Sequence, residues 1–129
     1  MISTIVMVGV GGALGAIARF GVNHGSAQLF GHGFPWATMI VNILGSFLMG
    51  IMIAKFSTMD HVSNDMRSLI ITGFLGAFTT FSTFSLDFVT MWERGEMIQA
   101  FGYMLISVIA SITALMFALW LMRGLGVPS

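Results

Sequence analysis

Four apolar stretches, at about residues 3 to 23, 35 to 56, 68 to 90 and 98 to 122, divide this chain almost from end to end. Each is close to the ~20 residues that a helix needs to cross the hydrocarbon of a bilayer. The expected fold is therefore an all-α membrane protein of four transmembrane helices, with residues 1–129 forming a single domain. Charged residues make up only 8% of the sequence and hydrophobic ones 57%, whereas soluble domains carry roughly 25% charge. The first stretch is apolar and rich in small residues, yet it has no Lys or Arg before Arg19. A secretory signal opens on a basic segment, so this stretch reads as a retained first helix. With no cysteine in the chain, disulfide, thiolate-metal and redox chemistry are excluded.

Four spans put both termini and the second loop on one side of the membrane. Lys55, Arg67 and Arg123 fall on that side and Arg19 and Arg94 on the other. Orientation follows the imbalance of Lys and Arg near the helix ends. A split of three against two admits insertion in both orientations as well as one topology fixed by a single extra cation. Four helices bury little surface among themselves, and polar residues on several faces would meet lipid, so more than one copy is expected. Gly11 and Gly15, flanked by Gly12 and Ala16, and then Ser46 and Gly50, have the four-residue spacing of small side chains. That spacing lets helix backbones approach closely, either within one protomer or between two.

Polar residues are the exceptions in these spans. Thr38, Asn42 and Ser46 share one face of the second helix, and Tyr103, Ser107 and Ser111 share one face of the fourth. A lone hydroxyl can bond back to its own helix, but the Asn42 amide needs several partners. It acts either as interhelical glue or as a ligand along a pathway.

The third span carries the most unusual chemistry. Residues 73 to 85 read Gly-Phe-Leu-Gly-Ala-Phe-Thr-Thr-Phe-Ser-Thr-Phe-Ser. Phe78, Phe81 and Phe84 fall on one side of a regular helix, and Phe88 continues it; such a stripe is usually packing core. Here the rings are interleaved with Thr79, Thr80, Ser82, Thr83 and Ser85 and preceded by Gly73 and Gly76. Glycine and β-branched threonine weaken a helix, so an interruption is expected near the middle of this span, at about residues 76 to 80. Unwound backbone at that depth lines a cavity or coordinates an ion, and its carbonyls suit a hard cation such as Na⁺. Ring edges carry positive partial charge, so an anion can rest against them while hydroxyls and the Asn42 amide donate hydrogen bonds. No cation is expected in the middle of any span, and neutral donors release an anion more readily than a buried Arg or Lys. These residues suit conduction of an anion.

Three segments resemble the Fluc fluoride channels, also called the CrcB family: Gly-Gly-Ala-Leu-Gly-Ala leading to Arg19, the run from Asn42 to Gly50, and the run of residues 73 to 85. The resemblance covers essentially the whole chain. It implies a passive fluoride-selective channel in the bacterial cytoplasmic membrane that exports fluoride, built as an antiparallel dual-topology homodimer with two pores along its interface. By that likeness Phe81 and Phe84 contact fluoride, Asn42 is the pore amide, and Ser82, Thr83 and Ser85 form a polar track continued by Tyr103, Ser107 and Ser111. It also implies a structural Na⁺ at the dimer axis, held by the main-chain carbonyls of Gly76 and Thr79. Asp87 falls where the family carries an acidic residue. Arg19 matches the family's basic residue at the end of the first helix, where it either serves a vestibule or snorkels to the interface.

Other residues read more plainly. The 12 methionines are scattered rather than paired in motifs, which fits packing better than copper transport. His24, His32 and His61 fall in expected loops without metal-ligand spacing. Trp36, Trp92 and Trp120 lie near expected span ends, as interfacial anchors do. No nucleophile sits beside a base, so no enzyme chemistry is expected. Among transporters, a small multidrug exporter would need a carboxylate on the first helix, which is absent. A fluoride/proton antiporter would have only Asp87 to relay protons. A scaffold without transport would use the polar stripes as packing alone.

Overall fold

The computed structural model describes residues 1–126. Among them lie four helical segments long and apolar enough to span a membrane: Ile2–Phe30, Trp36–Ser57, Asn64–Glu93 and Met97–Gly124. We label the first α1 and the second α2. The third comprises α3, residues 64–78, and α4, Phe81–Glu93; the last is α5. α1 packs along α3, α2 packs along α5, and α4 leans on α5. Large apolar side chains such as Ile17, Leu105, Ile109 and Met116 stay exposed around the outside, as lipid-facing residues do.

α1 runs seven residues past the expected end at 23. Its polar stretch reads as a loop by composition, but no proline interrupts it, and His24 bonds Gln28 one turn on at 3.1 Å and stacks on Phe20. The helix stops at Gly31, where φ turns to +76°, a conformation that costs glycine little. At ~1.5 Å per residue, 29 residues reach about 43 Å, more than the ~30 Å of hydrocarbon. Two sequence expectations are corrected by this length. His24 belongs to a helix rather than a loop, and Arg19 lies well inside a helix rather than at its end.

The small residues of α1 pack within the protomer. A Cβ at Gly11 would overlap the Leu69 carbonyl, and one at Gly15 the Phe74 carbonyl. From the other side, Gly73 faces Val8, Gly11 and Gly12. The facing stretch of α3, Ser68–Leu75, is wound as a π-helix, a rare widened turn usually found at functional positions. Gly50 does the same for α2 and α5, since a Cβ there would lie 2.7 Å from Ala118 Cβ and the Leu115 carbonyl oxygen.

The third span leaves helical dihedrals at Thr79 (φ −83°, ψ 159°) and Thr80 (φ −154°, ψ 119°) and resumes at Phe81. Gly76, by contrast, keeps helical values (φ −62°, ψ −35°), against the expectation that unwinding begins there. Two extended residues reset the helical phase, so the phenylalanine stripe does not run straight. Phe78 stacks on Phe74 at 5.9 Å, while Phe81 turns to Phe84 at 5.7 Å and Phe88 to Trp92 and Phe101.

Candidate functional site

Thr80 is where α2 meets the third span. Its hydroxyl caps α4 by accepting the Thr83 N–H at 3.2 Å, a standard use of threonine at a helix start. Its backbone is held by Asn42, whose Nδ2 donates to the Thr80 carbonyl at 3.0 Å and whose Oδ1 accepts the Thr80 N–H at 2.8 Å. One turn along α2, Gly45 leaves space for the Thr79 methyl group, which a Cβ there would overlap. The Thr79 hydroxyl bonds back to the Leu75 carbonyl at 3.0 Å.

These bonds decide which main-chain oxygens are free. The N–H that would close a helical turn on the Gly76 carbonyl is that of Thr80, and it goes to Asn42. The N–H that would close one on the Thr79 carbonyl is that of Thr83, and it goes to the Thr80 hydroxyl. The two carbonyls thus lose their helical donors. Among the described residues no three His, Cys, Asp or Glu gather as a metal-ligand set.

Beside this pair opens a cleft of about 420 Å³ between α2, α4 and α5. Asn42, Thr79, Thr80, Phe81, Phe84, Ser107 and Ser111 line it, with an apolar floor that includes Met49, Val108 and Leu115. No charged residue is among its described lining. Phe84 is buried, its ring 5.2 Å from Tyr103, whereas Phe81 is 77% exposed in the single chain. Ser107 Oγ and Ser111 Oγ are buried and have no hydrogen-bond partner. A buried hydroxyl without a partner costs about 1–3 kcal/mol, and these two lie one helical turn apart on α5.

The remaining expected site residues lie elsewhere. Ser85 donates to the Phe81 carbonyl at 3.0 Å, and Ser82 lies 3.5 Å from the Thr80 hydroxyl; both stay on the exposed side of α4. Thr83 lines a second cavity, of about 560 Å³, with Asn23, His24, His32, Thr38, Asp87 and Arg94. Tyr103 donates to Asp87 Oδ2 at 3.0 Å, which gives that acid a fixed partner. A small void lined by Arg19, Asn23, Thr38, Thr80 and Thr83 shares Asn23, Thr38 and Thr83 with this cavity and Thr80 with the cleft. Arg19 Nε is buried without a hydrogen-bond partner, and Arg19 lines that void together with Thr80. Gly45 and the Thr80 backbone are contributors that residue types alone did not single out.

This is a multi-pass, all-helical membrane protein that carries a cavity lined by charged residues and a separate, uncharged cleft of phenyl rings and hydroxyls. The chain belongs to the CrcB-like protein, Camphor Resistance (CrcB) family, whose model matches residues 6–119. It is similar to the fluoride-specific ion channel FluC of Mesorhizobium japonicum, at 50% identity over 94% of this chain and 97% of that one. The protein of the same description from Cereibacter sphaeroides is 48% identical over 96% of this chain and 98% of its own. That from Agrobacterium fabrum is 44% identical over 94% and 97%.

Proposed function

We propose that this protein is a passive fluoride channel. The observation that carries the reading is the cleft itself, which Ser107 and Ser111, whose hydroxyls have no partner, line together with Phe81 and Phe84, with no fixed charge in the described lining. Fluoride sheds a tightly held hydration shell only where donors replace it. The hydroxyls supply hydrogen bonds and the ring edges positive partial charge. The close relatives described as fluoride-specific channels support that choice of anion. The path runs from the cavity at Asp87 and Arg94, past Arg19 and Thr83, into the cleft.

The working unit is an antiparallel homodimer with two pores along its interface, in the bacterial cytoplasmic membrane. The exposed Phe81 ring supports this, because it stands at the open edge of the cleft, which a second copy would close. The three-against-two cation split supports dual topology. The carbonyls of Gly76 and Thr79 fit a Na⁺ between the subunits. Bound there, the ion would be coordinated by oxygens whose helical N–H donors go elsewhere and would carry no current.

Proteoliposomes loaded with potassium fluoride and given a valinomycin-set potassium potential are expected to lose fluoride rapidly and electrogenically, as read by a fluoride electrode. Efflux that requires a proton gradient would replace the channel with a fluoride/proton antiporter. No efflux from folded protein would leave a scaffold.

Ser107→Ala and Ser111→Ala test the wall separately from the fold. Each removes a hydroxyl with no partner in the protomer, so the melting temperature should hold or rise. A hydrogen bond to a charged group is worth about 1.5–3 kcal/mol, so fluoride efflux should fall roughly tenfold or more. Variants that lose stability while conducting normally would mean that these hydroxyls serve packing.

A further inference from the structure

Asn42 grips a single residue at both ends of its peptide environment: it donates to the Thr80 carbonyl at 3.0 Å and accepts the Thr80 N–H at 2.8 Å. The chain contains no cis peptide bond among the described residues, and in a trans peptide the N–H and C=O point in opposite directions. The Thr79 carbonyl shares its peptide unit with the Thr80 N–H. Fixing that N–H on Asn42 therefore turns the Thr79 oxygen away from α2. The same bond withholds from the Gly76 carbonyl the donor that would close its helical turn.

We infer that Asn42 is a positioning residue for the main-chain cation site, aiming the Thr79 carbonyl and freeing that of Gly76. This rests on the cation reading given above. α2 supplies both halves of the mould: Asn42 holds the Thr80 peptide, and the missing side chain at Gly45 admits the Thr79 methyl. One of the two Nδ2 hydrogens is spent on Thr80, which leaves one to point into the cleft. A single amide thus joins the cation site to the anion path, and its loss should be felt at both.

The test is a sodium titration of thermal stability in detergent, with N-methyl-D-glucamine replacing Na⁺ at constant ionic strength. The parent protein should gain stability as Na⁺ rises. In Asn42→Asp the acceptor for the Thr80 N–H remains, but a carboxylate opposes the Thr80 carbonyl; in Asn42→Ser the side chain is too short to reach both groups. Residues that orient a metal's ligands typically contribute 10–100-fold in affinity, so both variants should need at least about tenfold more Na⁺ for half the effect. A lower melting temperature without Na⁺ but an unmoved midpoint would show a structural role only and overturn the proposal. A parent protein indifferent to Na⁺ would remove the cation reading itself.

Should neither variant fold, amide hydrogen exchange on the parent protein decides. The Thr80 amide should exchange more slowly than that of Phe81, which opens the first turn of α4, and more slowly still with Na⁺ present. Equal exchange at both positions, unaffected by Na⁺, would overturn the clamp.

Discussion

Phe81→Ile and Phe84→Ile are each expected to slow fluoride efflux by at least about a hundredfold, equivalent to about 2.7 kcal/mol of barrier, in protein that still folds and assembles. Isoleucine keeps an apolar side chain but has no ring edge, so the substitution removes the partial positive charge and little else. The two positions differ in what the fold risks. Phe81 is exposed in the protomer, so its truncation costs the single chain little. Phe84 is buried against Tyr103 at 5.2 Å, and its replacement should still cost less than the ~3–5 kcal/mol of a full truncation to alanine. Efflux is read in proteoliposomes and assembly by size-exclusion chromatography. Unchanged flux in both variants would remove the aromatic mechanism and leave the hydroxyls and Asn42 as the only ligands.

The aromatic pair and the serine wall could be read from the sequence because each is a departure from apolar composition. Ser107 and Ser111 are four apart on an uninterrupted helix, so their shared face follows from the helical period, and both line the cleft. Ser82 and Ser85 could not be assigned that way. They were expected from the family resemblance alone, and two extended residues precede α4 and reset its phase, so no helical period carried through from Gly73 fixes their direction. The partner of Asn42 was also beyond sequence pattern. Its contact with Thr80 spans 38 positions, and only the packing of α2 against the extended pair brings the two together. Arg19 was misplaced for a simpler reason. The polar residues from Asn23 to Gln28 resemble a loop, but the helix continues through them, which moves Arg19 from an end to the interior of α1.

The same close packing makes some glycines indispensable and others free. Gly11→Val is expected to leave no well-folded protein, whereas Gly12→Ala, one residue along the same helix, should behave like the parent. A side chain at Gly11 meets the Leu69 carbonyl and the Phe74 amide nitrogen, which are main-chain atoms that no rotamer change can move. α1 would have to shift away from α3, opening the contact that Gly15 and Gly73 also make, at a cost above the ~1–3 kcal/mol of ordinary overpacking. At Gly12 the nearest atom to a new Cβ is the Gly73 carbonyl oxygen at 3.9 Å, an ordinary van der Waals distance. Alanine fits there and adds helix propensity of up to about 1 kcal/mol. The two glycines are equivalent as a sequence motif and opposite in structure, so the contrast tests the helix crossing rather than the motif. Yield and monodispersity after detergent extraction, followed by thermal melting, report the outcome. A Gly11→Val protein that extracts and melts like its parent would mean that α1 and α3 do not cross at this residue.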